Sequence, residues 1–442
     1  STKEGKLHLV DSIVLGKPWP TKIGPAGITI DDKKQILYVV TREDKKLYII
    51  NLLTNKITNT PIILGGGLAG LSACYHSNGT IYEKSSTAGG HARSHIENGY
   101  IFDEGIHVLH TNNEYIIKLL DDIGANLEIR DRDAWIVSNG AMTRYPFQAN
   151  TYGLPVDIIK DCLLGFIEND FTDRDNIKNY EDWIYYIFGK GIADHFMIPY
   201  SKKFWGVDPK ELTTEWVNVR HPRPSMSEVI TGALQDQEKR FGINGSYRYP
   251  NQRGFGRIAE ALADKCSGRI KCNMELTNVD VDNKILEFNN NIKLDYDNIL
   301  SSLPLPALID LIPNAPEEVK QAAKKLRSNS IFVVNLGIKR PNISKKNWIY
   351  YLEKEYSFVR VSFPFNQAND MVPNGISSVS AEIAYGNDNP LPVSRDKIVD
   401  KVIEDLIMAN IIKADDEIVY KNTIDIKLAY IIFDFERKAS VD

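Results

Sequence analysis

Beginning at Pro61 the chain reads PIILGGGLAGLSACYHSNGTIYEKSSTAGGHARS. Within it Gly65, Gly67 and Gly70 form G-x-G-x-x-G between an apolar strand pattern, PIIL, and a helical one, LAGLSACYH. No other feature restricts the fold so tightly. Glycine at the first position permits a tight turn, at the second lets backbone approach a pyrophosphate, and at the third lets helix pack closely on strand, with phosphate at the helix N-terminus. Leu68 and Ala69 complete the turn. A second strand, TIYEK, carries Glu83 eighteen residues past Gly65, placed to accept hydrogen bonds from a ribose hydroxyl, with Lys84 beside it. This β-α-β opening predicts a dinucleotide-binding domain.

The chain has 442 residues, enough for two to four domains or one large discontinuous one. Hydrophobic residues make up 43% and charged residues 25%, ordinary values that exclude a disordered or fibrous chain. A net charge of −5 provides no basic footprint, so nucleic acid is not an expected partner. No apolar run reaches the roughly 18 residues of a membrane span, and the start STKEGK has no signal-peptide core behind it. The expected location is therefore the cytoplasm. Cys74, Cys162, Cys266 and Cys272 form no C-x-x-C pair, which argues against a disulfide framework and a metal site.

Residues 7–57 read as short strands (LHLVDSIVLG, AGITI, QILYVVT, KLYIINL) broken by turn residues. The stretch GPAGITIDDKKQILYVVTREDKKLYIINLLTNKI resembles one repeat of the YVTN-type β-propellers, but no second copy follows, and a lone blade cannot close a ring. Helical patterns, rich in aromatics, dominate from Leu154 to about Leu234, and alternating strands return over 269–302. A helical EEVKQAAKKLR is followed by strands SIFVVNLGI, NWIYYL, FVRVSF and SSVSAEIAY, then by the helix RDKIVDKVIEDLIMANI and a strand around DIKLAYIIF. The expected class is α/β: a Rossmann-like domain with an inserted helical domain, an antiparallel β-sheet substrate domain and a short all-β appendage. The boundaries drawn are 1–57 for the appendage, 58–130 with 245–310 for the dinucleotide domain, 150–244 for the helical domain, and 131–149 with 311–430 for the substrate domain.

Directly after the second strand, Gly89, Gly90 and Arg93 add backbone amides and a cation to the same diphosphate. This addition resembles the flavoprotein family of amine oxidases, protoporphyrinogen oxidases and UDP-galactopyranose mutases, and it implies FAD as the cofactor. FDEGIHVLH, with Asp103, Gly105 and His107, resembles the D-x-G-x-H segment of the mutases, whose histidine lies beside the flavin ring. On the residues alone, His107 is equally readable as a core histidine.

RYPFQAN, 144–150, resembles the uridine-binding segment of eukaryotic-type UDP-galactopyranose mutases and implies Tyr145, Phe147 and Gln148 as uracil contacts. An aromatic face can stack on a base while an amide pairs with its edge. FGKGIADHFMIPYSKKFWGVDPKELTTEWVNVRHPRPS resembles the helical block of that family, which implies Trp205 as the active-site tryptophan and Arg220 as a pyrophosphate-binding arginine. NWIYYLEKEYSFVRVSF implies Trp348, Tyr350 and a second diphosphate-binding arginine, Arg360, and LAYIIFDFERK implies Tyr430. Guanidinium forks suit phosphate oxygens. The resemblance covers roughly 62–438, and the glycine-arginine segment with which the family closes over the flavin is expected to be missing here.

Membership of the mutases implies interconversion of UDP-galactopyranose and UDP-galactofuranose through an adduct of sugar and flavin N5, for cell-surface glycan assembly. His107, Arg220 and Arg360 would then be the catalytic residues, with a nucleotide sugar as partner. Two alternatives stand beside it: an FAD-dependent oxidase of the amine or protoporphyrinogen type, and a truncated or fused flavin protein without activity.

Overall fold

The computed structural model describes residues 60–169, 176–217, 223–237 and 245–441, together with short strands before residue 60. By internal packing the chain divides into two compact units, Ser1–His91 with Ala259–Pro316, and Ala92–Ile258 with Glu317–Asp442.

In the first unit four strands form a parallel sheet in the order Ile270–Lys271, Thr80–Tyr82, Ile62–Leu64, Ile299–Ser301. The helix Leu68–Ser77 connects the second and third of these, as the β-α-β pattern predicts. Ile63, Leu64 and Ile81 are essentially inaccessible, because a parallel strand covered on both faces needs a continuous apolar run rather than an alternating one. The strands expected over 269–302 include an antiparallel meander, Leu276–Asp280, Ile285–Phe288 and Ile292–Asp295. Its Val279, Leu286 and Phe288 share a core with Leu64. Near the start, Pro25–Asp31, Ile36–Thr41, Leu47–Asn51 and Lys56–Ile57 form a four-stranded antiparallel sheet in sequence order. The expected strand LHLVDSIVLG lies, beyond Leu7, outside the described residues. The propeller resemblance of this stretch rests on its sequence alone.

The second unit is built on a seven-stranded mixed sheet in the order Ala141–Arg144, Ala134–Ser138, Trp348–Tyr351, Arg360–Ser362, Ser377–Tyr385, Ser328–Ile338, Ile418–Ile431. Only the pairing of Ala134–Ser138 with Trp348–Tyr351 is parallel. Side chains alternate across a strand, so register assigns each residue to a face. Ile349, Val361, Ala381 and Val334 are successive cross-strand partners or direct neighbours on one face, where they join Phe332, Leu336 and Ile383. The helix Ile398–Met408 covers that face with Ile398, Val402 and Leu406, all fully enclosed.

The opposite face is polar. One transverse row runs Tyr350, Arg360, Glu382, and the next runs Trp348, Ser362, Ser380, Asn335. These side chains are buried, although a core requires none of them to be polar. Ser380 donates to Asn335 Oδ1 at 2.5 Å, and Ser362 donates to the Ser380 carbonyl at 3.4 Å.

The helices lie between the sheet strands in sequence: Val156–Ile167, Tyr180–Ile192, a π-turn over Ala193–Met197, Ile198–Trp205 and Met226–Leu234. The last starts in a capping box, in which Ser225 Oγ accepts from Glu228 N and the Glu228 carboxylate accepts from Ser225 N.

Two substitutions on one strand test the two-faced sheet. Ala381→Asp places a charge in the apolar core and is expected to cost more than about 3 kcal/mol, whereas Ser380→Ala loses one hydrogen bond, about 1 kcal/mol. Urea unfolding monitored by circular dichroism reads both.

Candidate functional site

The three glycines of the first turn occupy three different environments. Gly65 has φ +93°, a left-handed conformation that strains any other residue. At Gly70 a Cβ would lie 2.0 Å from the Gly65 carbonyl oxygen, so the helix can approach the strand only because that atom is missing. At Gly67 a Cβ would meet nothing closer than the Gly90 Cα at 3.9 Å. A Cβ there would make only an ordinary contact. Gly67 also stands at the N-cap of Leu68–Ser77, where no side chain caps the helix and no acid occupies its first turn. The N-terminal amides of the helix and the positive end of its dipole thus lie at a turn suited to phosphate.

Glu83 is buried, and its two oxygens accept from Gly66 N at 2.7 Å and Ser85 N at 2.8 Å. Each carboxylate oxygen keeps a further acceptor position, so a ribose hydroxyl can still be bound. Gly89 N donates to the Gly66 carbonyl at 2.7 Å, which ties the second glycine pair to the first turn. Leu68 and Ala69 begin the helix, and Lys84 is exposed beside Glu83. The donors present fit the dinucleotide part of FAD.

In the second unit, Arg93 forms an ion pair with Glu104 at 3.1 Å. His107 lies 5.4 Å from the Phe255 ring, centroid to centroid, and within 3.4 Å of the Gly105 carbonyl. Nearby, Asp103 accepts from Ser94 Oγ and Tyr249 Oη, both at 2.5 Å, and from Phe255 N at 3.0 Å. Burial nevertheless drives the Asp103 carboxyl above its ordinary range. Asp103, His107, Ser362 and Ser380 line a cavity of about 20 Å³, room for one water.

Of the residues that the sequence pointed to for substrate, Tyr145, Trp205, Trp348, Tyr350, Arg360 and Tyr430 belong to one linked aromatic and cationic cluster. Tyr145 and Tyr350 have ring centroids 5.8 Å apart, Trp205 and Tyr430 6.0 Å, and the Arg360 guanidinium lies 5.9 Å from the Tyr350 ring. Phe147 is enclosed completely and stacks on Phe196 at 4.7 Å, so its ring serves the core. Gln148 is buried next to it. Arg220 lies outside the described residues.

Three members of the cluster escaped the sequence reading. Arg132 sits with its guanidinium 3.8 Å from the Tyr145 ring centroid and 5.1 Å from that of Trp348, and it donates to Tyr350 Oη at 3.1 Å. Its Nε is enclosed and has no hydrogen-bond partner among the described residues. Tyr200 meets Tyr350 edge to face at 5.4 Å. Glu382 accepts from Arg360 Nε at 2.8 Å and Nη2 at 2.5 Å through one oxygen, and from Ile106 N at 2.7 Å through the other. A carboxylate in the wholly enclosed part of SSVSAEIAY was a visible signal for Glu382. Arg132 lies in the charged stretch RDRD, 130–133, and its place depends on the parallel pairing of two strands more than two hundred residues apart.

Electrostatics separates the tyrosines. Burial pushes Tyr145, Tyr200 and Tyr430 above the usual phenol value. Burial also pushes Tyr350 up, but Arg132 and Arg360 outweigh it and draw Tyr350 below that value.

The sequence profile of the flavin containing amine oxidoreductase family matches residues 189–421, just over half of the chain, and that of the NAD(P)-binding Rossmann-like domain matches residues 63–123. The chain belongs to the flavin-containing amine oxidoreductases. It is therefore an FAD protein with the family's fold. Protoporphyrinogen oxidase 2, chloroplastic/mitochondrial, of Arabidopsis thaliana is 23% identical over 199 residues, which cover 39% of this chain and 38% of that protein. The match thus spans little more than a third of that relative. A crystal structure of reduced UDP-galactopyranose mutase superposes with a TM-score of 0.81 at 27% identity, covering 87% of this chain and 85% of that one. Putrescine oxidase, at 15% identity and a TM-score of 0.59 over 86% of this chain and 89% of that one, shares the fold. No helix among the described residues is long and apolar enough to cross a membrane.

The two glycines offer a direct check on the dinucleotide site. Gly67→Ala is expected to leave the thermal melting curve of the FAD-free protein nearly unchanged while the flavin-to-protein absorbance ratio collapses. Gly70→Ala forces a Cβ against backbone and is expected to lose both stability and flavin.

Proposed function

We propose that this protein is a UDP-galactopyranose mutase-like enzyme, which interconverts the pyranose and furanose forms of a UDP-linked galactose or a related nucleotide sugar. The observation that carries this reading is the buried cluster of two guanidiniums and four phenols on the polar face of the seven-stranded sheet. Such a lining suits a diphosphate bearing a sugar better than it suits an apolar amine or a tetrapyrrole. Likeness to the mutase structure over most of the chain, at 27% identity, supports the same choice.

Within this reading the roles divide by charge. Arg360 is already compensated by Glu382, so it orients more than it neutralises. Arg132 has only phenol and ring partners among the contacts described above, and it supplies the positive charge that stabilises a departing UDP. Tyr145 and Trp348, which flank that guanidinium, provide aromatic surface for the base or the sugar. Arg220 is proposed as a further diphosphate contact on its sequence alone. The first-turn glycines, the helix amides and Glu83 would hold FAD, which when reduced offers a nucleophilic nitrogen to the anomeric carbon. His107 is proposed to tune the flavin, and Trp205 and Tyr430 to bound the sugar pocket.

The family profile and the plant relative favour one other reading, an FAD-dependent oxidoreductase. A single preparation separates the two. With dithionite present, conversion of UDP-galactofuranose to UDP-galactopyranose is expected. Bound, reducible FAD without conversion, together with anaerobic bleaching of the flavin by an amine or by protoporphyrinogen, would sink the mutase reading. Arg132→Ala is expected to weaken UDP binding at least about tenfold, the scale of one charge-assisted hydrogen bond, with flavin content unchanged. Equal loss of flavin would refute the assigned role.

A further inference from the structure

Tyr350 stands where two cations and three other phenols meet. From the segment before Ala134–Ser138, Arg132 donates to its hydroxyl at 3.1 Å. From the neighbouring strand, Arg360 lies 5.9 Å from its ring and is paired in turn with Glu382. Tyr145 faces it at 5.8 Å, Tyr200 of Ile198–Trp205 at 5.4 Å, and Tyr430 of Ile418–Ile431 shares the Arg360 field. His110 feels Arg132 as well, and burial with that guanidinium pulls it below its ordinary value. Among the described residues, two guanidiniums against one carboxylate leave one positive charge over, and ionisation of Tyr350 would cancel it.

We propose that the Tyr350 hydroxyl gates anion binding: as a phenol it leaves Arg132 and Arg360 to the phosphates of a nucleoside diphosphate, and as a phenolate it occupies them itself. The proposal rests on the nucleotide-sugar reading for its ligand. The proton lost goes to solvent. Lys203, which burial pushes down to about 8, and the uracil N3–H of UDP also titrate as pH rises, and they do so alike in all three proteins, so the gate is read as the difference between wild type and Tyr350→Phe. Tyr350 suits this part because it alone of the four phenols lies below the usual tyrosine range, so it ionises before its neighbours as pH rises. The sign follows from linkage. A ligand that binds the phenol form loses affinity as pH rises through the Tyr350 pKa, and its binding in turn raises that pKa.

The test is isothermal titration calorimetry of the FAD-loaded protein with UDP from pH 7 to 10, for wild type, Tyr350→Phe and Tyr430→Phe. Phosphate groups with a second pKa of about 6 do not titrate in that window. In wild type and Tyr430→Phe the Kd is expected to rise by up to about tenfold per pH unit above the Tyr350 pKa, the limit for release of one proton. Tyr350→Phe is expected to lack that rise. The same rise in Tyr350→Phe overturns the gate.

Absorbance of the phenolate, wild type minus Tyr350→Phe, follows Tyr350 without any nucleotide. Should UDP not bind wild type at pH 7, the nucleotide-sugar reading fails. The absorbance step, measured with and without sulfate, then decides the gate: sulfate is expected to move it to higher pH, and an unmoved step refutes the proposal.

Discussion

Everything on the polar face of the seven-stranded sheet depends on one buried ion pair, Arg360 with Glu382. Register makes the two residues direct cross-strand partners, and the second carboxylate oxygen takes the Ile106 amide one residue before His107. A single side chain thereby joins the D-x-G-x-H segment to the arginine and tyrosine cluster. Burying two charges is expensive, and removing either partner alone typically costs about 3–5 kcal/mol. That is a large part of the 5–15 kcal/mol that holds a domain folded. A fold does not keep such a pair for stability, since apolar residues would serve as well. It holds Arg360 in place and leaves the neighbouring charge, Arg132, to be answered by something else.

The sheet explains how an enclosed surface can be polar at all. Ser378, Ser380 and Glu382 alternate with Val379, Ala381 and Ile383 along one strand, and only the second set packs against the helix Ile398–Met408. The apolar face contributes the burial that stabilises the unit. The polar face draws on it, and among the described residues Asn335 Nδ2 on that face has no hydrogen-bond partner.

Much of this was legible in the sequence, for reasons that differ by residue. Gly65, Gly67 and Gly70 were readable because each role depends on local geometry between adjacent elements. Tyr350, Arg360 and Tyr430 were readable through resemblance, since nothing local distinguishes a buried arginine from an exposed one. Phe147 shows the limit of that route: its motif named it as a base contact, whereas stacking on Phe196 encloses it. Arg132 was hidden because its neighbours come from two strands far apart in the chain, and a charged loop carries no sign of which sheet it will border. The inserted helices, by contrast, followed from apolar periodicity alone.

Family membership fixes the flavin, and the cluster proposes the use made of it. The deciding measurement is a crystal structure of the protein with UDP. Diphosphate oxygens within hydrogen-bonding distance of the Arg132 guanidinium, with the Arg360–Glu382 pair intact, are the expected result. A nucleotide seated with its phosphates away from both guanidiniums would contradict the assignment of this face as the substrate site.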